Sequence, residues 1–187
     1  MSKFELYLKL GTEHILDING LDHLIFMLAI ASVFSIANWK KLLIMVTAFT
    51  LGHSLTLVLA ALHVVSVNME LVETLIPITI LLTSLVNLWK KGREQHTIVL
   101  YILMVLFGLI HGLGFSNYFG ELVAGDQDLI LALFSFNLGI EVAQILVVLS
   151  ILIIHIIFEK IFSVKRESWI LFMNGGVFFL ALSMIIG

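Results

Sequence analysis

Imidazole and carboxylate groups sit inside or beside long apolar runs of this chain, where they are costly to keep. His53 lies in Phe49-Thr50-Leu51-Gly52-His53-Ser54, and His111 in Ile110-His111-Gly112-Leu113-Gly114-Phe115. His23 follows Asp22 at the mouth of the first apolar run, and His14 stands ahead of it in Glu13-His14-Ile15-Leu16-Asp17. Ionisable side chains at membrane depth are rare, face a bundle interior, and mark ion pathways, metal sites or proton relays. With no cysteine in the chain, thiolate sites are excluded. Nitrogen and oxygen ligands suit nickel, cobalt, zinc, manganese, iron or copper(II), and not copper(I) or iron–sulfur clusters. The residues expected to hold a metal are His14, Asp22, His23, His53, His111 and Glu141.

Each candidate also has a plain structural explanation. Asp22 suits a helix start. Thr50 and Thr56 flank His53 at three residues on either side, so one face is polar and could bond a neighbouring helix. Gly108 and Gly112 around His111 have the small-residue spacing that lets helices approach closely. Asn137, Glu141 and Gln144 recur at i, i+4 and i+7 as one polar stripe. A carboxylate at a helix centre costs about 2.5–3.5 kcal/mol on insertion, so Glu141 must be protonated, paired or cation-bound. His63, His96 and His155 fall at run ends or in loops and read as solvent-facing. Glu73 could line an entrance, and Asn87 lies near the far end of its run. Gly112-Leu113-Gly114-Phe115-Ser116 has no base at a spacing that would make Ser116 a nucleophile.

The elements that must position these groups are transmembrane helices. The chain is 60% hydrophobic and 12% charged, against about 25% charged in soluble domains. The pattern predicts an all-α polytopic bundle and a single transmembrane domain over 1–187. About six spans are expected, at roughly 21–38, 42–62, 70–89, 97–116, 129–158 and 169–187. The segment Phe4–Leu16 reads as a short amphipathic, interfacial helix leading into the first span. Lys9, Glu13, His14 and Asp17 interrupt any signal-peptide run. Nothing basic enough for a nucleic-acid surface is present.

Loop charge alternates. Lys40 and Lys41 follow the first span, Lys90, Lys91 and Arg93 the third, and Lys160, Lys165 and Arg166 the fifth. Glu70, and then Glu121, Asp126 and Asp128, occupy the others. The positive-inside rule places both termini outside. His53 then lies about 18 Å up from Lys41, and His111 about 21 Å up its own span, at 1.5 Å per residue. Asp22, His23 and Glu141 reach similar depths, which predicts one shared site open to the outside.

Four segments resemble the HupE/UreJ family of bacterial membrane proteins. They are Gly11-Thr12-Glu13-His14-Ile15-Leu16 leading to Gly20-Leu21-Asp22-His23-Leu24-Ile25-Phe26, then Thr47-Ala48-Phe49-Thr50-Leu51-Gly52-His53-Ser54-Leu55-Thr56-Leu57, Phe107-Gly108-Leu109-Ile110-His111-Gly112-Leu113-Gly114-Phe115, and Phe136-Asn137-Leu138-Gly139-Ile140-Glu141. The resemblance implies a multi-pass protein of the bacterial inner (cytoplasmic) membrane that carries nickel or cobalt. Nickel-transporting members carry a histidine shortly before an Asp-His pair, and a Phe-His-Gly motif later. Here seven residues separate His14 from Asp22, and the later motif reads Ile110-His111-Gly112, so the chain resembles a divergent branch.

Two functional readings stay open. One is a permease that passes nickel or cobalt across the lipid bilayer, with Glu141 exchanging a proton for the cation. Its difficulty is the inner half of the spans, where Thr47, Thr83, Asn87 and His155 are almost the only polar groups. The other is a membrane metalloenzyme, hydrolase or redox protein, holding zinc, iron or copper as a fixed cofactor with an open position. An assembly partner whose histidines only pack is the third class.

Overall fold

The computed structural model describes residues 1–18, 20–65, 67–89, 98–124 and 128–186. Asn19, Lys90, Lys91, Arg93, His96 and Asp126 lie outside the described residues. Every regular element among the described residues is helical. The order is α1 (Lys3–Leu16), α2 (Asp22–Ala31), a short 3-10 turn (Ile36–Asn38), α3 (Trp39–Ala61), α4 (Met69–Trp89), α5 (Ile98–Leu122), α6 (Leu129–Lys160) and α7 (Arg166–Ile186). Helices α3 to α7 are long and apolar enough to cross a bilayer.

The first crossing departs from the expected one. In place of a single span at 21–38, α2 is only ten residues, about 15 Å at 1.5 Å per residue. Helix α1 is short and amphipathic, as expected, with one buried face and one charged, exposed face. Ser2 and Glu5 cap its start reciprocally, and Tyr7, Gly11 and Ile15, one turn apart, form its buried face. That face lies along α6. Lys3 Nζ is 3.8 Å from Asp128 at the start of α6, and Gly11 meets the main chain of Phe136 and Ile140. Thus α1 runs beside the first half of α6 in the same direction. Asp17 then turns extended (φ −65°, ψ 118°), which ends the helix.

From Asp22, α2 continues toward the opposite face. Carbonyls in its last turn and just past its end are taken up by side chains there. Asn87 Nδ2 donates to Ala29 O at 2.9 Å, and an Arg166 guanidinium N–H to Val33 O at 2.6 Å. Buried backbone at membrane depth must be satisfied by neighbours, and these bonds let the helix stop short. The pair α1 and α2, separate between Leu16 and Asp22, stands where the first span was expected, beside five membrane-length helices among the described residues, roughly consistent with about six spans. One face of the bundle carries Lys40, Lys41, Lys160, Lys165 and Arg166 and is called the basic face below. The other carries both chain ends and is called the terminal face.

Glycines set the closest helix approaches. Gly139 meets the main chain of Leu8 and Thr12, reciprocating Gly11, so α1 and α6 touch backbone to backbone. Gly52 lies on Val105 and Leu109, and Gly108 on Phe49 and His53, so α3 and α5 do the same in parallel. Gly112 extends that seam to Thr56 and His53. Helix α4 packs on α2, α5 and α7, and α6 closes the bundle against α1, α2 and α3. The apolar core lies mainly among α2, α3, α4 and α7, around Phe26, Phe49, Ile80 and Val177.

Because a Cβ at Gly108 or Gly139 would collide with main chain that cannot give way, Gly108→Val and Gly139→Val are each expected to cost about 2 kcal/mol or more. Gly175→Val, where a Cβ meets open space, should be tolerated. Thermal unfolding in detergent checks the ranking.

Candidate metal centre

The break in the first crossing delivers two histidines to one place. His14 sits near the C-terminal end of α1, and His23 in the first turn of α2. His53 comes from α3, one residue past the backbone contact of Gly52. His111 comes from α5, between Gly108 and Gly112. Ring centroids lie 4.6 Å apart for His14 and His23, 5.6 Å for His14 and His53, 5.6 Å for His23 and His53, and 5.3 Å for His23 and His111. Two groups of potential ligands result, sharing His23: His14, His23 and His53, and then Asp22, His23 and His111. Within each, one ligand atom per residue lies within 4.8 Å of the others.

Hydrogen bonds assign the free nitrogens. Asp22 Oδ1 lies 3.1 Å from His23 Nδ1, so Nδ1–H donates to the carboxylate and Nε2 keeps its lone pair. The Thr79 hydroxyl donates to the Ile76 carbonyl at 2.7 Å. It therefore accepts from His111 Nε2–H at 3.1 Å, which leaves Nδ1 as the free nitrogen, 3.9 Å from Asp22 Oδ2. A carboxylate or hydroxyl behind the imidazole is the usual way to fix a ligating tautomer. Among the described residues, His14 Nε2, His23 Nε2, both nitrogens of His53 and His111 Nδ1 are buried without a hydrogen-bond partner. An unsatisfied buried polar group costs about 1–3 kcal/mol. Four imidazoles that can each offer one lone pair at such a nitrogen are the chemistry of a cation cage. The C-terminal end of α1 adds its negative dipole end, and Asp22 offsets the positive end of α2.

Aromatic rings close the cage above and below. Toward the terminal face, Phe115 lies 3.9 Å from His14 by ring centroid and stacks on Phe136 at 5.4 Å and 10°. Toward the basic face, Phe26 and Phe49 lie 5.0 Å apart, each 5.1 Å from His111. His23, His53 and His111 are all buried, and His14 is half-buried.

Of the six residues expected at the site, the fold brings together His14, Asp22, His23, His53 and His111. Glu141 stands apart. Among the described residues it belongs to neither group, and its Oε1 accepts from the Thr47 hydroxyl at 2.5 Å. Its stripe partners also bond α3: Thr50 donates to Gln144 Oε1 at 2.6 Å, and Ser54 to Asn137 Oδ1 at 2.6 Å. His155, expected to face solvent, is buried and lies flat on Trp169, 5.0 Å away at 6°. His63 and Glu73 are exposed. Sequence reasoning missed Thr79, which lies opposite His111 only because α4 runs antiparallel to α5. It also missed the two aromatic layers, whose residues look like any membrane phenylalanine.

A family model described as HupE / UreJ protein matches residues 1–186, and the chain belongs to that family. No curated protein and no solved structure matches it. Family membership and five membrane-length apolar helices make it a multi-pass membrane protein.

Thr79→Val removes the group that fixes the His111 tautomer and leaves the apolar packing in place. Divalent-metal affinity, titrated calorimetrically in detergent, should fall about 10-fold with unchanged stoichiometry, as for other partners behind a metal ligand.

Proposed function

We propose that this protein is a permease for a divalent transition-metal cation of the nickel or cobalt type, bound by His14, Asp22, His23, His53 and His111 at the break in its first crossing. The observation that carries the reading is the convergence of unpartnered, buried imidazole nitrogens from four helices at that break. Imidazole with one carboxylate suits nickel and cobalt. Discontinuous helices whose ends meet at the bilayer midplane are a recurring way for transporters to hold an ion. The resemblance to nickel-carrying relatives points the same way.

In this reading each residue has a task. His14, half-buried beneath Phe115, receives the cation from the terminal face. His23 and His53 complete the first group. His23 belongs to both groups, so the ion passes to Asp22 and His111 without leaving its ligand. The Asp22 carboxylate offsets one of the two positive charges, which lowers the cost of holding a divalent ion in a medium of low dielectric. Glu141 lies beside the path and not at the ion, where it could take up the proton exchanged for the cation. The positive-inside rule puts the basic face in the cytoplasm and both termini outside, with the bacterial inner membrane as the setting.

Enclosure of the cage between aromatic layers favours a second reading, a membrane metalloenzyme with zinc, iron or copper as fixed cofactor. A permease must bind its cargo reversibly, whereas a cofactor is retained. Elemental mass spectrometry of purified protein separates them. For a permease we expect well under one metal per chain after chelator, with nickel or cobalt rebinding to native protein. His53→Ala should bind at least about 10-fold more weakly. Near-stoichiometric metal that survives chelation would select the enzyme, and no binding by native protein would sink both.

A further inference from the structure

A permease needs a way out, and on the basic-face side of the cage the rings of Phe26 and Phe49 pack against His111. The polar groups on α4 offer a path. Thr79 touches His111. Thr83, one turn on, donates to Thr79 O at 2.8 Å. Asn87, one further turn on, donates both to Ala29 O and to Asn174 Oδ1, each at 2.9 Å. These three side chains recur every four residues over about 12 Å, on the buried side of α4.

At the end of this stripe three helices meet in a knot of neutral polar groups. Asn174, on α7, donates to Ser32 Oγ at 2.9 Å and to Ile170 O at 3.0 Å. Ser32, just past α2, donates to Ala29 O at 2.9 Å. Both Ser32 and Asn174 are fully buried. One donor would suffice to cap the short α2. Here an amide from α4, an amide from α7 and a hydroxyl converge on it. Helix α2 thus carries cage ligands at one end and the knot at the other, about 15 Å apart.

We propose that Ser32, Asn87 and Asn174 form the exit site of the cation path. It is a cluster of neutral oxygens that takes a divalent transition metal from the imidazole cage by way of Thr79 and Thr83, and holds it loosely before release at the basic face. This rests on the permease reading. Neutral amide, hydroxyl and carbonyl oxygens bind nickel and cobalt more weakly than imidazole does. Conduction requires a last site from which the ion leaves readily. Opening the knot frees the C-terminal end of α2 from α4 and α7, so release is coupled to the element that presents Asp22 and His23.

The test combines nickel uptake by proteoliposomes with equilibrium nickel binding in detergent, for native protein and Asn174→Leu. Uptake should fall at least about 10-fold while binding at the cage stays within about 2-fold, a loss confined to the transfer steps. Should Asn174→Leu fail to fold, thiol labelling supplies the readout, because the native chain has no cysteine. Asn87→Cys should react with a charged, membrane-impermeant thiol reagent applied at the basic face, and saturating nickel should slow that reaction. Leu85→Cys, at an exposed position on the same helix, should show no nickel dependence. Native uptake undiminished in Asn174→Leu, or an Asn87→Cys thiol indifferent to nickel, would overturn the exit site and leave the permease standing. Absence of uptake by native protein would remove the permease reading and the exit site with it.

Discussion

Backbone contact at glycine is the constraint on which this bundle depends. Lipid tails are as apolar as leucine, so burying apolar side chains gives helices in a bilayer little reason to associate. Close packing and interhelical hydrogen bonds must do it. Two helix pairs use glycine for this: α1 with α6 at Gly11 and Gly139, and α3 with α5 at Gly52, Gly108 and Gly112. In each pair the contact lies within one turn of a cage histidine. His14 is three residues past Gly11, His53 follows Gly52, and His111 precedes Gly112. The separation of these histidines is therefore set by backbone, which moves little, and not by long side chains. A site that must hold several imidazoles within a few ångströms needs supports of that stiffness.

The broken crossing follows from the same requirement. A continuous first helix would pass the site with one face, and its carbonyls would all be engaged internally. Stopping α1 at Leu16 and restarting at Asp22 presents a helix C-terminal end, a carboxylate and two histidines to the same space. Freed backbone groups at membrane depth are tolerated only where protein satisfies them. Asn87 and Ser32 do so at Ala29 O, and Arg166 at Val33 O just past the end of α2, while Asn174 donates to the Ser32 hydroxyl behind them, which is why polar residues are kept where apolar ones would insert more easily.

Much of this was legible in the residues, and the failures have physical causes. An all-helical bundle of about six spans follows from apolar run length, and four of the seven histidines, with Asp22, stood out because their cost in lipid is high. The role of α1 was obscured because fourteen residues are too few to span and its exposed face carries Lys3, Glu5, Lys9 and Glu13. A signal was nevertheless present: a Ser2 to Glu5 cap, then Tyr7, Gly11 and Ile15 at four-residue spacing, which is a buried face. His155 was misjudged from its place near a run end, since α6 is long enough for that position to meet Trp169 of the next helix. Asn174 was overlooked because a single amide in Met173-Asn174-Gly175-Gly176 carries no periodic signal. Its meaning comes from Ser32 and Asn87, which are more than eighty residues away in sequence.

Glu141 shows what depth along a helix leaves open about a carboxylate's neighbours. A carboxylate at that depth does need a partner, and matching its depth to the histidines suggested a metal. Rotation about the helix axis, which depth cannot give, turns it toward α3 instead. There the stripe makes three rungs, Thr47 to Glu141, Thr50 to Gln144 and Ser54 to Asn137. Such bonds average about 0.6 kcal/mol each in membranes, so their value lies less in stability than in register. Helix α6 carries α1 on its glycine face and α3 on its polar face. The rungs therefore tie the α1–α6 pair, which holds His14, to the α3–α5 pair, which holds His53 and His111. The two glycine seams fix distances within each pair, and the polar ladder fixes one pair against the other. The cage exists where those two constraints intersect.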